Sequence, residues 1–184
     1  MEKRLSLAIL VLLFPLSWIF AQTTNFNDLV KSGTPEQIQS AIEEGANVMG
    51  QDGLGFTSLM YAASQNPNPL AITTLLDAGS DLEARSKFGI TALMLASQTN
   101  PNPEILRTLL DRGADLEALS KAGMTALLLA AKYNPNPEII IVLLGAGANA
   151  KIKDNFGKTA FDYAKDNSKL DGTAALKKLE EALQ

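Results

Sequence analysis

Gly89-Ile90-Thr91-Ala92-Leu93-Met94-Leu95-Ala96, running through Asn100-Pro101-Asn102-Pro103 to Leu109-Leu110 and Gly113-Ala114-Asp115, decides the fold. Thr91 is a residue type that caps a helix start by accepting from a main-chain amide. Leu93, Ala96 and their small neighbours then form an apolar face at helical spacing, and the alanines let a second helix approach closely. This helix is expected to end near Thr99-Asn100, because a residue before proline is pushed out of the α region. Asn102 offers the next cap, Pro103 suits a first helical position and Glu104 suits a positive first turn. A second helix, roughly Pro103 to Arg112, turns Ile105, Leu106, Leu109 and Leu110 toward the first, and Gly113 supplies the left-handed residue that closes it. Ala114-Asp115-Leu116-Glu117-Ala118 reads as an extended stretch leading into a turn. The unit is a helix pair followed by a projecting β-hairpin.

The same unit recurs on either side. Thr57, Thr91, Thr125 and Thr159 stand 34 residues apart, as do Gly55, Gly89, Gly123 and Gly157, and Gly45, Gly79, Gly113 and Gly147. Asn-Pro-Asn-Pro occurs at 66–69, 100–103 and 134–137. A fixed period of this size means stacked units in a quasi-one-dimensional fold, whose extended surface suits holding a partner better than enclosing a substrate. Hairpin tips are expected near Gln51 to Leu54, Arg85 to Phe88, Leu119 to Ala122 and Lys153 to Phe156.

These residues resemble the ankyrin-repeat family, over roughly residues 25–184. The resemblance implies an all-α fold with short β-hairpins, a solenoid of about five repeats at approximately 25–53, 54–87, 88–121, 122–155 and 156–184. Three departures stand out. The family's proline after threonine is Ser58, Ala92, Ala126 and Ala160 here, and its histidine two residues on is Met60, Met94, Leu128 and Asp162. The period is one residue longer than the family's usual ~33, and the extra residue is placed in the Asn-Pro-Asn-Pro loop. Losing the histidine removes an inter-repeat hydrogen bond, so apolar packing by Met60, Met94 and Leu128 is expected to substitute. Tetratricopeptide repeats share the period, but their Trp/Leu-Gly/Tyr pattern is absent and they carry no hairpin glycines.

The ends read as caps. The first repeat has a short polar first helix with Asn27, Asp28 and Lys31, and the last replaces Asn-Pro-Asn-Pro with 166–172. A terminal helix from Thr173 to Leu183 carries Lys177, Lys178, Glu180 and Glu181, as a stack end facing water requires. Leu75, Leu76, Leu109, Leu110, Leu143 and Leu144 recur in one register and are expected at repeat interfaces. Leu110→Ala is therefore expected to cost more stability than Leu179→Ala near the end.

Ahead of the repeats, Lys3 and Arg4 precede an apolar run from Leu5 to Phe20, and Ala21 precedes Gln22-Thr23-Thr24-Asn25. That order reads as a secretory signal peptide over 1–21, too short for a transmembrane helix of about 20 apolar residues. Ile19 stands where a small residue is preferred, which leaves an uncleaved envelope anchor as the alternative. The chain has no cysteine, which excludes disulfides, thiol nucleophiles and thiolate zinc sites. It has no Asn-x-Ser/Thr sequon, which favours a bacterial over a eukaryotic secretory route. An exported protein, periplasmic or secreted, is expected, with no membrane insertion once the signal is cut. Without residues 1–21 the chain keeps fourteen basic and nineteen acidic side chains, a net charge near −5, which does not invite nucleic acid.

Histidine is absent as well, which removes the commonest general base and metal ligand. Asp81 and Asp115 occupy equivalent positions a repeat apart, too far for a catalytic pair. Asp154, Asp162 and Asp166 read as turn and cap residues, and Gly145-Ala146-Gly147 lacks the lysine or spacing of a phosphate loop. No catalytic, metal or cofactor site is expected. A small hydrolase using Lys132 or Asp162 is the rival class.

Under the resemblance, hairpins and first helices line a concave side and second helices form the back. Arg85, Lys87, Lys121, Lys151 and Lys153 then fall on the tips, and Lys132 ends a first helix. Glu36, Glu43, Glu44, Asp77, Glu104, Asp111 and Glu138 lie on the back, with Arg107 and Arg112 as exceptions. Basic fingers on an acidic body point to a protein partner with an acidic segment. Phe88 and Phe156, Leu119 in the place of Arg85 and Lys153, and Tyr133 on a first helix add apolar anchors beside the cations. The candidate binding residues are Arg85, Lys87, Phe88, Leu119, Lys121, Tyr133, Lys153 and Phe156, in a protein expected to be a monomer.

Overall fold

The computed structural model describes residues 25–184; the signal-peptide reading at 1–21 lies outside the described residues. Ten helices are found among them. They are α1 (Phe26–Leu29), α2 (Pro35–Glu43), α3 (Ser58–Gln65), α4 (Pro69–Asp77), α5 (Ala92–Thr99), α6 (Pro103–Asp111), α7 (Ala126–Tyr133), α8 (Pro137–Gly145), α9 (Ala160–Asp166) and α10 (Ala174–Glu181). Each helix packs on its pair-mate and on the equivalent helix of the adjacent pair, giving an inner layer of odd-numbered and an outer layer of even-numbered helices. This is an ankyrin-type helical solenoid. No described helix is long and apolar enough to cross a membrane.

The caps fall where residue chemistry puts them. The hydroxyls of Thr57, Thr91, Thr125 and Thr159 accept from the amides of Met60, Met94, Leu128 and Asp162. Asn68, Asn102 and Asn136 cap the outer helices ahead of their prolines. The three central inner helices, α3, α5 and α7, are buried over most of their surface, since each lies between two neighbours and an outer helix: every residue of α7 from Ala126 to Ala131 is buried. Met60, Met94 and Leu128, standing in for the family's histidine, are fully enclosed.

Apolar packing is half of that substitution. Asparagine side chains supply the other half, and the sequence reading did not foresee it. The Asn66 amide donates to the carbonyls of Val30 and Gly33, at 2.8 and 3.0 Å. Asn100 donates to Ala63 and Asn66, and Asn134 to Ser97 and Asn100, all at 3.0 Å. Asn167 continues the series to Ala131 and Asn134. The Oδ1 atoms of Asn66, Asn100 and Asn134 accept from the amides two residues on, which fixes the loop leading to the outer helix. Asn102 and Asn136 add bonds to the carbonyls of Pro67 and Pro101. The Asn-Pro-Asn-Pro loop is thus a ladder of inter-repeat hydrogen bonds. Pro67, Pro101 and Pro135 have no N–H, so the carbonyls of Ala63, Ser97 and Ala131, four residues earlier, lack a helical donor and take the neighbouring asparagine's amide.

In each leucine pair the first member is buried: Leu75, Leu109 and Leu143 are sealed, whereas Leu76, Leu110 and Leu144 are only partly covered. Leu179 is fully buried under the last pair. The expected order of Leu110 over Leu179 therefore does not follow, because Leu110 sits at the layer's rim.

The projecting segments are tight fingers with almost no strand; among the described residues one isolated antiparallel bridge joins Gln51 and Thr57. Each finger is closed by a main-chain bond across the turn, as from Ser86 to Ile90, and by the side chain of the polar residue at its entry. Asp52 and Asp154 accept through one carboxylate oxygen from amides two and four residues on, and the Ser86 hydroxyl does the same. Main-chain bonds tie finger to finger, from Lys87 to Leu54 and from Lys121 to Phe88, at 2.9 Å. Gly89 is required there: its φ is +73°, and a Cβ would lie 3.1 Å from the Lys121 nitrogen.

Candidate functional site

The fingers and inner helices form one face of the stack, and its charges differ from those of the outer layer. On the outer layer Arg107 pairs with Glu104 at 3.1 Å and Glu138 at 3.4 Å, and Arg112 pairs with Asp77. The two cations that broke the acidic pattern of the back are thus neutralised, each by an acid from an adjacent pair. On the fingers, Lys87, Lys121, Lys151 and Lys153 are exposed and have no ion-pair partner among the described residues. An exposed surface pair contributes little stability, so the lysines are not needed there to hold the fold.

The sequence candidates divide by environment. Arg85 is exposed, but its guanidinium donates to the Leu119 carbonyl at 2.9 Å, so it braces two fingers. Leu119 keeps its side chain half-exposed. Phe88 is 52 % exposed while its ring centre lies 6.5 Å from that of Phe56, so it packs on the preceding finger and still presents a face outward. Phe156 is 81 % exposed, more than any other large apolar residue described, and Tyr133 is half-exposed at the end of α7. Lys87, Lys121 and Lys153 project beside them.

At the last two pairs the face folds into an open depression of about 420 Å³, lined by Lys132, Phe156, Lys158, Tyr163 and Asp166. The Lys132 ammonium lies 4.6 Å from the Tyr163 ring centre and 5.0 Å from that of Tyr133. Such cation–π contacts hold the charge in place, and the Tyr133 side chain is the first cause of a Lys132 pKa above the ordinary lysine value. Lys158 approaches the Tyr163 ring at 5.1 Å and Asp166 at 3.8 Å. The Tyr163 hydroxyl donates to Asp154 Oδ2 at 2.5 Å. Burial alone would raise the Asp154 pKa, but bonds from Tyr163 and from the Lys158 and Phe156 amides hold it below the usual value.

Tyr163 and Lys158 were missed in the sequence. A signal existed: Asp52 and Tyr61 stand in the registers of Asp154 and Tyr163, three repeats earlier. Tyr61 donates to Asp52 Oδ2 at 2.6 Å, and Lys31 lies over its ring at 4.8 Å. There Lys31 is already paired with Asp28 at 2.6 Å. Among the described residues Lys132 makes no ion pair, although the charge of Asp154 acts on it from nearby.

The aspartates read as turn and cap residues do that work. Asp162 accepts from the Thr159 amide at 3.0 Å and from its hydroxyl at 2.7 Å; these bonds lower its pKa to about 2. Among the described residues no group of three or more His, Cys, Asp or Glu side chains gathers as a metal site would.

Two family profiles match the chain. Residues 26–120 match one described as ankyrin repeats (3 copies), and residues 109–164 match one described as ankyrin repeats (many copies). No curated protein matches it. A stack of paired helices with glycine-closed fingers defines a repeat scaffold whose family supplies protein–protein interaction modules. This chain belongs to the ankyrin-repeat family.

Proposed function

We propose that this is an exported, non-enzymatic binding protein that holds an acidic segment of a protein partner against its fingers and inner helices. The observation carrying this reading is the contrast between faces. Arg107 and Arg112 on the outer layer are matched by acids, while among the described residues Lys87, Lys121 and Lys153 stand unpaired beside the half-exposed Phe88 and Leu119 and the more exposed Phe156. Apolar anchors ringed by complementary charge are what interfaces use for affinity and for steering. Export rests on the leader reading of residues 1–21, which supports a periplasmic or secreted location.

The test is a comparative capture from envelope and culture fractions, with the chain carrying a C-terminal tag. Its counterpart carries Lys87→Glu, Lys121→Glu and Lys153→Glu; Arg85 is left intact because it braces the fingers. A protein retained by the first bait and lost with the second supports the reading. Equal retention by both moves the binding surface off the fingers.

A further inference from the structure

We infer that the depression between α7, α9 and the last finger anchors one carboxylate of an extended partner peptide, through Lys132, with an adjacent apolar side chain of that peptide lying on Phe156. The inference rests on the protein-binding reading and assigns it a point of attachment.

Among the described residues Lys132 is the cation of this depression without an ion-pair partner. Asp166 already engages Lys158 at 3.8 Å, and Asp154 is occupied by Tyr163 and the finger amides. The Lys132 stem is half-buried and its ammonium is held against two tyrosine rings, so little freedom remains to be lost when an acid arrives. A carboxylate there gains a charge-assisted hydrogen bond in a partly desolvated place. Phe156, on the same rim, is too exposed to serve the core and has the character of an interface anchor.

The shape argues for a peptide over a small metabolite. Small-molecule sites enclose most of their ligand, whereas this depression is open and continuous with the finger bearing Lys151 and Lys153. A segment leaving it meets further cations. Asp166 at the rim disfavours a uniformly charged polyanion, and so disfavours nucleic acid against a peptide that alternates acids with apolar residues.

The test measures fluorescence anisotropy of the chain with three labelled probes: a short peptide of alternating Glu and Leu, the same peptide with Gln for Glu, and a single-stranded oligothymidylate. The Glu peptide is expected to bind, and Lys132→Gln to weaken it by about tenfold, the size of one charge-assisted bond, while leaving the Gln peptide's weaker binding unchanged. Phe156→Ala should weaken both peptides alike. Circular dichroism confirms that each variant is folded. The inference is overturned if Lys132→Gln affects both peptides equally, if the oligonucleotide binds as tightly as the Glu peptide, or if the Glu peptide does not bind. Loss of Glu-peptide binding with Lys87→Glu and Lys121→Glu, but not with Lys132→Gln, would overturn the anchor and leave the finger reading standing.

Discussion

The Asn100 side-chain amide donates to the main-chain carbonyl of Asn66 at 3.0 Å, and Asn134 makes the same bond to Asn100 one repeat later. All three asparagines are buried, so the bonds are shielded from water, and Asn102 and Asn136 bridge the same pairs of loops at the more exposed side. A main-chain carbonyl buried without a donor costs about 1–3 kcal/mol. Asn100→Ala strands two, on Ala63 and Asn66. A destabilisation of about 2–4 kcal/mol is expected in urea unfolding, with Asn167→Ala costing less because its site is only partly buried. Equal midpoints for the two variants would remove the ladder from the account.

Ser97 gives the opposite sign. Its hydroxyl is buried on α5 without a hydrogen-bond partner among the described residues, and the equivalent positions are Ala63 and Ala131. An unsatisfied buried hydroxyl costs about 1–3 kcal/mol by mutational scales. Ser97→Ala should therefore raise the thermal midpoint, and a fall would show that the hydroxyl has a partner in solution.

Leu109 and Leu110 test the layer assignment. Leu109 is sealed between α6 and its neighbours, and Leu110 lies at the rim. Leu109→Ala should cost about 2–5 kcal/mol, the range for a core leucine, and Leu110→Ala clearly less. The reverse order in urea unfolding would mean that α6 is rotated.

Much of this was legible beforehand. Thr91, Asn102, Pro103 and Gly113 act locally, each through one main-chain preference, so the helix pair could be read from residue type and spacing. The ladder was not, because Asn66, Asn100 and Asn134 act across repeats, and an asparagine before proline reads first as a loop residue. The fingers lack strands for a related reason. Ser86 and Asp154 close their turns within five residues, through side-chain oxygens and main-chain bonds such as Ser86 to Ile90 and Asp154 to Lys158, which leaves no length for a strand ladder. At the candidate site, exposure of Phe88 and Phe156 followed from their register, whereas Arg85 bonding to Leu119 depends on the distance between adjacent fingers.

Tyr61 offers a pH test. Its hydrogen bond to Asp52 is the first cause raising its pKa to about 12, against about 10 in the unfolded chain. A raised folded value contributes stability that is fully present below pH of about 10 and lost as pH climbs toward the folded value. Spectrophotometric titration should show a late-ionising tyrosine that disappears in Tyr61→Phe, and urea stability falling over that window less steeply in the variant. An unchanged titration curve in Tyr61→Phe would contradict the bond to Asp52.

The most direct test of the binding face places a photoreactive phenylalanine derivative at Phe88, at Phe156, or at Asp111 on the outer layer, in the cells that make the protein. Irradiation should yield partner adducts from positions 88 and 156 and none from 111. Adducts from 111 alone would contradict the account by placing the partner on the acidic outer layer.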